Sequence, residues 1–356
     1  MKNSGAGSGR PRDRVIQAAQ ELGARLAGAR GEDAIIDVTM LGSTGVGKTT
    51  LLASMYDCFD RTIGATDLAV RPMDMATSAQ LQRALTTLRS IPQDLAVQHY
   101  LRGTGDFREY QFGVGRKGRP PMFALRFNDY PGRLLADASI PADVSAKLEV
   151  RMDRADVVVI AIDVPALVER DGMYHDMVNV PQLVTDTIKR MLEKDTARLI
   201  IMAALKCERY VDTEAHARLL AKQISDSYAG LLSYIGSPGD VQSRAACVLT
   251  PVQTIGSVIF SRIEPTATGP IFHYRARRVG ARYEPMDTDQ PLRYALSFIV
   301  NKYRDSQRGL LKAWWEQFIG TDAALVAAVD SFAAGCKADG GFMILKDHAL
   351  LQPGRR

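Results

Sequence analysis

The chain has 356 residues, room for one enlarged domain or two. Hydrophobic residues make up 46% and charged residues 24%, a balance that excludes disordered and collagen-like classes. The net charge of +5 is not gathered into a long basic run, so it gives no specific nucleic-acid signal. No apolar run approaches the ~20 residues of a membrane span. The stretch Met1 to Arg14 has no apolar centre and does not read as a secretory leader. Cys58, Cys207, Cys247 and Cys336 are widely scattered, which argues against a disulfide framework or structural zinc and for a reducing, cytoplasmic setting. The five histidines lie far apart without ligand spacing.

Taken in order, residues 1–33 read as a flexible lead and an N-terminal helix over Pro11 to Ala29. The β-rich run Ile35 to Leu41 follows, then Gly42-Ser43-Thr44-Gly45-Val46-Gly47-Lys48-Thr49-Thr50, then helix formers from Thr50 to Cys58. Strand, G-x-x-x-x-G-K-T and helix in this order form a phosphate-binding loop. Its glycines let successive backbone N–H groups point inward, and the helix start adds further donors. Residues 42–50 are therefore the expected phosphate contacts, with Lys48 on the β- and γ-phosphates and the Thr49 hydroxyl on Mg²⁺.

Residues 60–108 are too long for a simple connection, which predicts a functional insertion holding a helix over Ser78 to Ser90. Phe107 to Phe112 alternates like a half-buried strand, the tract Gly113 to Gly118 predicts a turn, and Pro121 to Phe127 predicts the return strand of a hairpin. That strand ends in Asn128-Asp129-Tyr130-Pro131-Gly132.

A phosphate loop, a hairpin and then Asp-x-Pro-Gly resembles the Ras-like GTPase superfamily, the TRAFAC class. The resemblance covers residues 34–304 and looks closest to its larger bacterial-type members. It implies an α/β three-layer P-loop NTPase fold: a mostly parallel sheet with one antiparallel hairpin strand, and here extra helices at both ends. It implies GTP and Mg²⁺ as ligands. Asp129 would join the metal shell and the Gly132 N–H would sense the γ-phosphate. Thr104 would complete the metal site, with Thr66 and Thr62 as alternatives. Arg133 stands where Ras-like members keep a water-positioning Gln, which implies slow hydrolysis.

Downstream, Ala155 to Asp163 reads as a strand buried on both faces, Gln182 to Lys194 as an amphipathic helix, and Leu199 to Leu205 as a second buried strand. At the end of that strand the resemblance places Asn-Lys-x-Asp. Lys206 matches it, Glu208 stands for the Asp that pairs with guanine, and Leu205 departs from the Asn. Thr213 to Leu232 reads as a helix and Ala245 to Leu249 as the last sheet strand. Thr250-Pro251-Val252 then falls at the family's Ser-Ala-type loop. Residues 255–289 are a second insertion with an Arg cluster, Gln290 to Tyr303 closes the nucleotide domain, and residues 305–356 form a helical extension carrying Trp314 and Trp315. Three functions are open. One is a GTPase switch acting on an effector or regulator, with homodimerisation left open. The others are a P-loop ATPase using Asp163 and a non-catalytic nucleotide-binding adaptor.

Overall fold

The computed structural model describes residues 35–62, 66–93, 108–130, 142–267, 269–304 and 322–352. Thr104, Gly132, Arg133, the tryptophan pair and the expected N-terminal helix lie outside them. The chain opens with β1 (Ile35–Leu41), the glycine loop and α1 (Lys48–Thr62). The first insertion supplies β2 (Leu68–Pro72) and α2 (Met75–Ser90), whose start is capped by Asp74 accepting from the Thr77 N–H at 2.6 Å. The hairpin is β3 (Arg108–Arg116) and β4 (Pro121–Asp129). Then come α3 (Ala142–Arg154), β5 (Val157–Asp163), α4 (Val164–Val168), α5 (His175–Asn179), α6 (Pro181–Leu192) and β6 (Arg198–Leu205). The remainder is α7 (Glu214–Ser227), α8 (Ala229–Gly236), β7 (Ala245–Val252), β8 (Val258–Thr266), β9 (Gly269–Ala276), α9 (Gln290–Arg304), α10 (Ala323–Ala333) and β10 (Met343–Lys346).

Eight strands form one sheet in the order β10-β7-β6-β5-β1-β4-β3-β2, and β8 with β9 forms a separate hairpin. β1 pairs in parallel with β4 and β5, and the parallel run continues through β6 to β7. β3 runs antiparallel to β4 and β2, and β10 antiparallel to β7. β5 and β6 are buried at every position, as an apolar strand covered on both faces must be. One face of the sheet packs α1, α2, α9 and α10 through residues such as Leu51, Leu85, Phe298 and Phe332. The other packs α6, α7 and α8 through Ile188, Ile224 and Leu231. The mostly parallel sheet with its antiparallel hairpin, flanked by helices on both faces, is a P-loop NTPase fold.

The structure corrects several sequence expectations. The turn is shorter than the tract Gly113 to Gly118: β3 continues through Arg116, and the chain reverses only at Lys117 and Gly118. A Cβ at Gly113 would sit 2.4 Å from Met73 Sδ and 2.5 Å from Pro121 Cγ, so the glycine admits close packing rather than reversal. β7 runs on through Val252, so Thr250-Pro251-Val252 belongs to the strand and the following loop starts at Gln253. β7 is not the last strand, because β10 adds to its edge. The single helix expected over Thr213 to Leu232 is two, broken at Tyr228, whose backbone (φ −109°, ψ 22°) leaves the helical region. Between Gly172 and Pro181 the chain forms α5.

Candidate functional site

The glycine loop turns between β1 and α1 with Gly42, Gly45 and Gly47 at φ +140°, +84° and +116°, values that side-chain-bearing residues rarely take. Val46 is buried beneath the loop, whereas Thr44 and Gly45 are exposed at its crest. Lys48 is folded back into the loop, where Nζ donates to Gly42 O at 2.8 Å and Ser43 O at 3.1 Å. It lies 3.7 Å from Asp129 Oδ1.

Asp129 ends β4, directly beside β1, and the register sets it opposite Met40. Its Oδ2 accepts from the Thr49 hydroxyl at 2.8 Å, joining groups 80 residues apart. Burial pushes the Lys48 ammonium below its ordinary value and the Asp129 carboxyl above its own, and their mutual attraction opposes both shifts. Asp129 Oδ1 is buried with no hydrogen-bond partner. A hydroxyl and a carboxylate oxygen without a donor, beside a phosphate-binding loop, fit Mg²⁺. That ion takes one or two protein oxygens and fills its other positions with phosphate and water. No cluster of three or more His, Cys, Asp or Glu suited to a metal occurs among the described residues.

The second part of the site lies at the ends of β5 and β6. Lys206, in the left-handed region at φ +57°, reaches across to donate to Gly45 O at 3.0 Å. Asp163 Oδ2 accepts from the same ammonium at 2.5 Å, while Asp163 Oδ1 accepts from the Ala166 N–H and caps α4. Both Asp163 oxygens are thus engaged. Leu205 packs on the loop: a Cβ at Gly47 would lie 3.3 Å from its Cδ1.

Glu208 is 3% exposed and turned inward. Its Oε1 accepts from the Ile255 and Gly256 N–H groups, each at 3.3 Å, and burial raises its pKa. The β8–β9 insertion closes on this corner. Arg277 donates to Glu208 O at 2.6 Å, and the Tyr274 ring lies 5.9 Å from Lys206 Nζ.

The structure therefore brings together the predicted Lys48, Thr49 and Asp129 in one cluster and Lys206 with Gly45 in another. Thr66, an alternative for the metal-site threonine, precedes β2 at the far edge of the sheet, two strands from β4. Sequence reading missed Asp163 as the partner of Lys206 and Arg277 as a brace. The only available signals were an Asp closing an apolar strand and the Arg cluster itself.

No protein-family model matches the chain, and no curated protein matches it. Among solved structures, it is similar to the GTPase-like domain of S. cerevisiae Ski7 bound to GTP, with a TM-score of 0.37 and 13% identity. That match covers 64% of this chain and 44% of the other, so the chain spans less than half the length of the Ski7 structure. It is also similar to the signal recognition particle receptor SRb-GTP/SRX complex from Chaetomium thermophilum, with a TM-score of 0.33, 12% identity and coverage of 62% and 91%. A third match is sup35 complexed with GDP, with a TM-score of 0.29, 12% identity and coverage of 62% and 37%.

Proposed function

We propose that this protein is a Mg²⁺-dependent guanine-nucleotide-binding switch of the Ras-like, TRAFAC type that hydrolyses GTP slowly and regulates a partner protein. The observation that carries the reading is the Thr49–Asp129 hydrogen bond, with Lys48 beside it. It assembles a phosphate loop, a cation and two hard oxygen donors, with the acidic one on the return strand of an antiparallel hairpin. Lys48 neutralises phosphate charge, Thr49 and Asp129 would hold Mg²⁺, and the bound ion would screen the negative charge between phosphates. The backbone N–H groups of residues 42–49 orient the phosphates at the start of α1. Thr104 and Gly132 are assigned to the metal and γ-phosphate by resemblance alone. Lys206 and Glu208 border the base, Lys206 through its hold on Gly45 and Glu208 through the loop it organises at Ile255 and Gly256. An ATPase using Asp163 as its metal carboxylate is disfavoured, because Lys206 and the α4 cap already occupy that group.

The test is equilibrium binding of mant-GTP and mant-ATP with Mg²⁺ to wild type, Lys48→Ala and Glu208→Ala. Expected are a preference for GTP in the wild type, loss of both ligands in Lys48→Ala, and loss of the preference in Glu208→Ala. Equal or tighter ATP binding by the wild type would overturn guanine selectivity.

A further inference from the structure

Tyr110 belongs to no motif, yet its side chain ends in the cation pocket. It sits on β3, where the antiparallel register sets Arg108 opposite Asp129 and Tyr110 opposite Phe127. Residues 108, 110 and 112 therefore share one face of the strand with residues 129, 127 and 125 of β4. That face looks toward α1: Tyr56 of α1 meets the Phe112 ring at 5.7 Å, and Phe112 meets Phe127 at 5.6 Å. The Tyr110 ring is 1% exposed within the same core. Its hydroxyl lies beside the Thr49 hydroxyl and the Arg108 guanidinium, within the field of Asp129. Among the described residues it meets none of them in hydrogen-bond geometry. Asp129 Oδ1, a few ångströms from Lys48, is likewise without a hydrogen-bond donor.

A buried hydroxyl left without a partner is destabilising, because it has given up its water without replacing the hydrogen bond. Phenylalanine would fill the same apolar slot between Phe127 and α1 without that penalty. The hydroxyl is accounted for if its partner arrives with a ligand, and the groups around it are those that would hold Mg²⁺ and the terminal phosphate. We propose that Tyr110 is a positioning residue of the metal–triphosphate site. Its hydroxyl hydrogen-bonds within the oxygen-rich shell formed when nucleotide and cation occupy Thr49 and Asp129, and Arg108 adds the adjacent positive charge. This rests on the nucleotide-binding reading above. It also gives that reading a discriminating element: Arg108 and Tyr110 face the cation and terminal phosphate rather than the base, so they favour the triphosphate over the diphosphate.

The experiment uses the full chain as wild type, Tyr110→Phe and Arg108→Gln. Mg²⁺ is titrated into each mant-GTP and mant-GDP complex formed in EDTA, and the melting temperature is recorded without nucleotide. Tyr110→Phe is expected to melt no lower than wild type. It should bind mant-GTP normally in EDTA and need about tenfold more Mg²⁺ to reach the tight complex, the usual penalty for losing a group that orients metal ligands. Arg108→Gln, at the half-buried strand end, is expected to narrow the GTP-to-GDP affinity ratio severalfold, and it decides the matter should Tyr110→Phe fail to fold. Wild-type Mg²⁺ titrations and ratios in the variants overturn the proposal while nucleotide binding stands. A wild-type chain that binds no triphosphate overturns both.

Discussion

A line of four side chains suspends the exposed crest of the phosphate loop from the core. His175 Nδ1 faces Asn179 Nδ2 at 3.0 Å. Asn179 bridges the backbone of Asp163, accepting from its N–H at 2.7 Å and donating to its carbonyl at 3.0 Å. Asp163 holds Lys206, and Lys206 holds Gly45 O. Because the Asn179 oxygen is committed to the Asp163 N–H, its NH₂ faces His175, so Nδ1 must stay unprotonated to accept. Burial holds the His175 imidazole below its ordinary 6.5, with Asp176 opposing. Between 6.5 and that lower value the unfolded chain binds the extra proton and the folded chain does not. Stability contributed here is therefore full above 6.5 and is lost as pH falls through the window. Melting temperatures taken from about pH 7.5 to about pH 5 should fall more steeply for wild type than for His175→Gln, whose amide oxygen accepts without titrating. Parallel slopes would remove His175 from the line. None of this was legible in the sequence, where His175 is one of five isolated histidines and Asp163 reads as an alternative metal ligand.

Among the elements, β4 has two faces with different tasks. Asp129, Phe127 and Leu125 look toward α1 and the cation pocket, while Asn128 and Arg126 look the other way. There Arg126 grips Asp37 of β1 bidentately, at 2.7 and 2.8 Å, and Asn128 donates to the same carboxylate at 2.9 Å. Arg151 of α3 donates to Asn128 Oδ1 at 2.9 Å and pairs with Glu109 of β3. The strand that presents Asp129 is thereby fixed to β1, β3 and α3, the next described helix in the chain. Asp37 is 4% exposed, so Asp37→Ala strands Arg126 and the Asn128 amide in a largely dry interface. A loss of about 3 kcal/mol is expected, read as a lower urea midpoint at unchanged slope. A loss under ~0.5 kcal/mol would mean the network is solvated and does not anchor β4. The hairpin was legible because alternation and a glycine tract frame it. The network was not, since an arginine alternating with apolar residues reads as solvent-facing until the partner strand is known.

Across the whole molecule, what the sequence disclosed follows from burial. β1, β5, β6 and most of β7 announce themselves as apolar runs because both their faces are covered. The edge strands do not. β2 buries only Leu68 and Val70 of its five residues, and β10 is four half-exposed or exposed residues. Glu208 shows the same limit at the site: its position beside Lys206 was readable, but its inward turn depends on an insertion that closes over it from 47 residues downstream. The same continuity of burial makes ligand binding visible in global unfolding. The glycine loop joins β1 to α1, and both belong to the core shared with α9 and α10; Phe59 of α1 meets Phe332 of α10 at 5.2 Å, edge to face. Ligand that binds only the folded chain at 100 times its Kd adds about 2.7 kcal/mol. For a domain of this size that corresponds to a rise of about 4–5 °C. GTP with Mg²⁺ should produce that rise in wild type and none in Lys48→Ala, measured against each protein's own nucleotide-free melting point. An equal rise in Lys48→Ala would place the nucleotide away from the glycine loop. A rise with GTP in EDTA as large as with Mg²⁺ would leave Thr49 and Asp129 without a cation to hold.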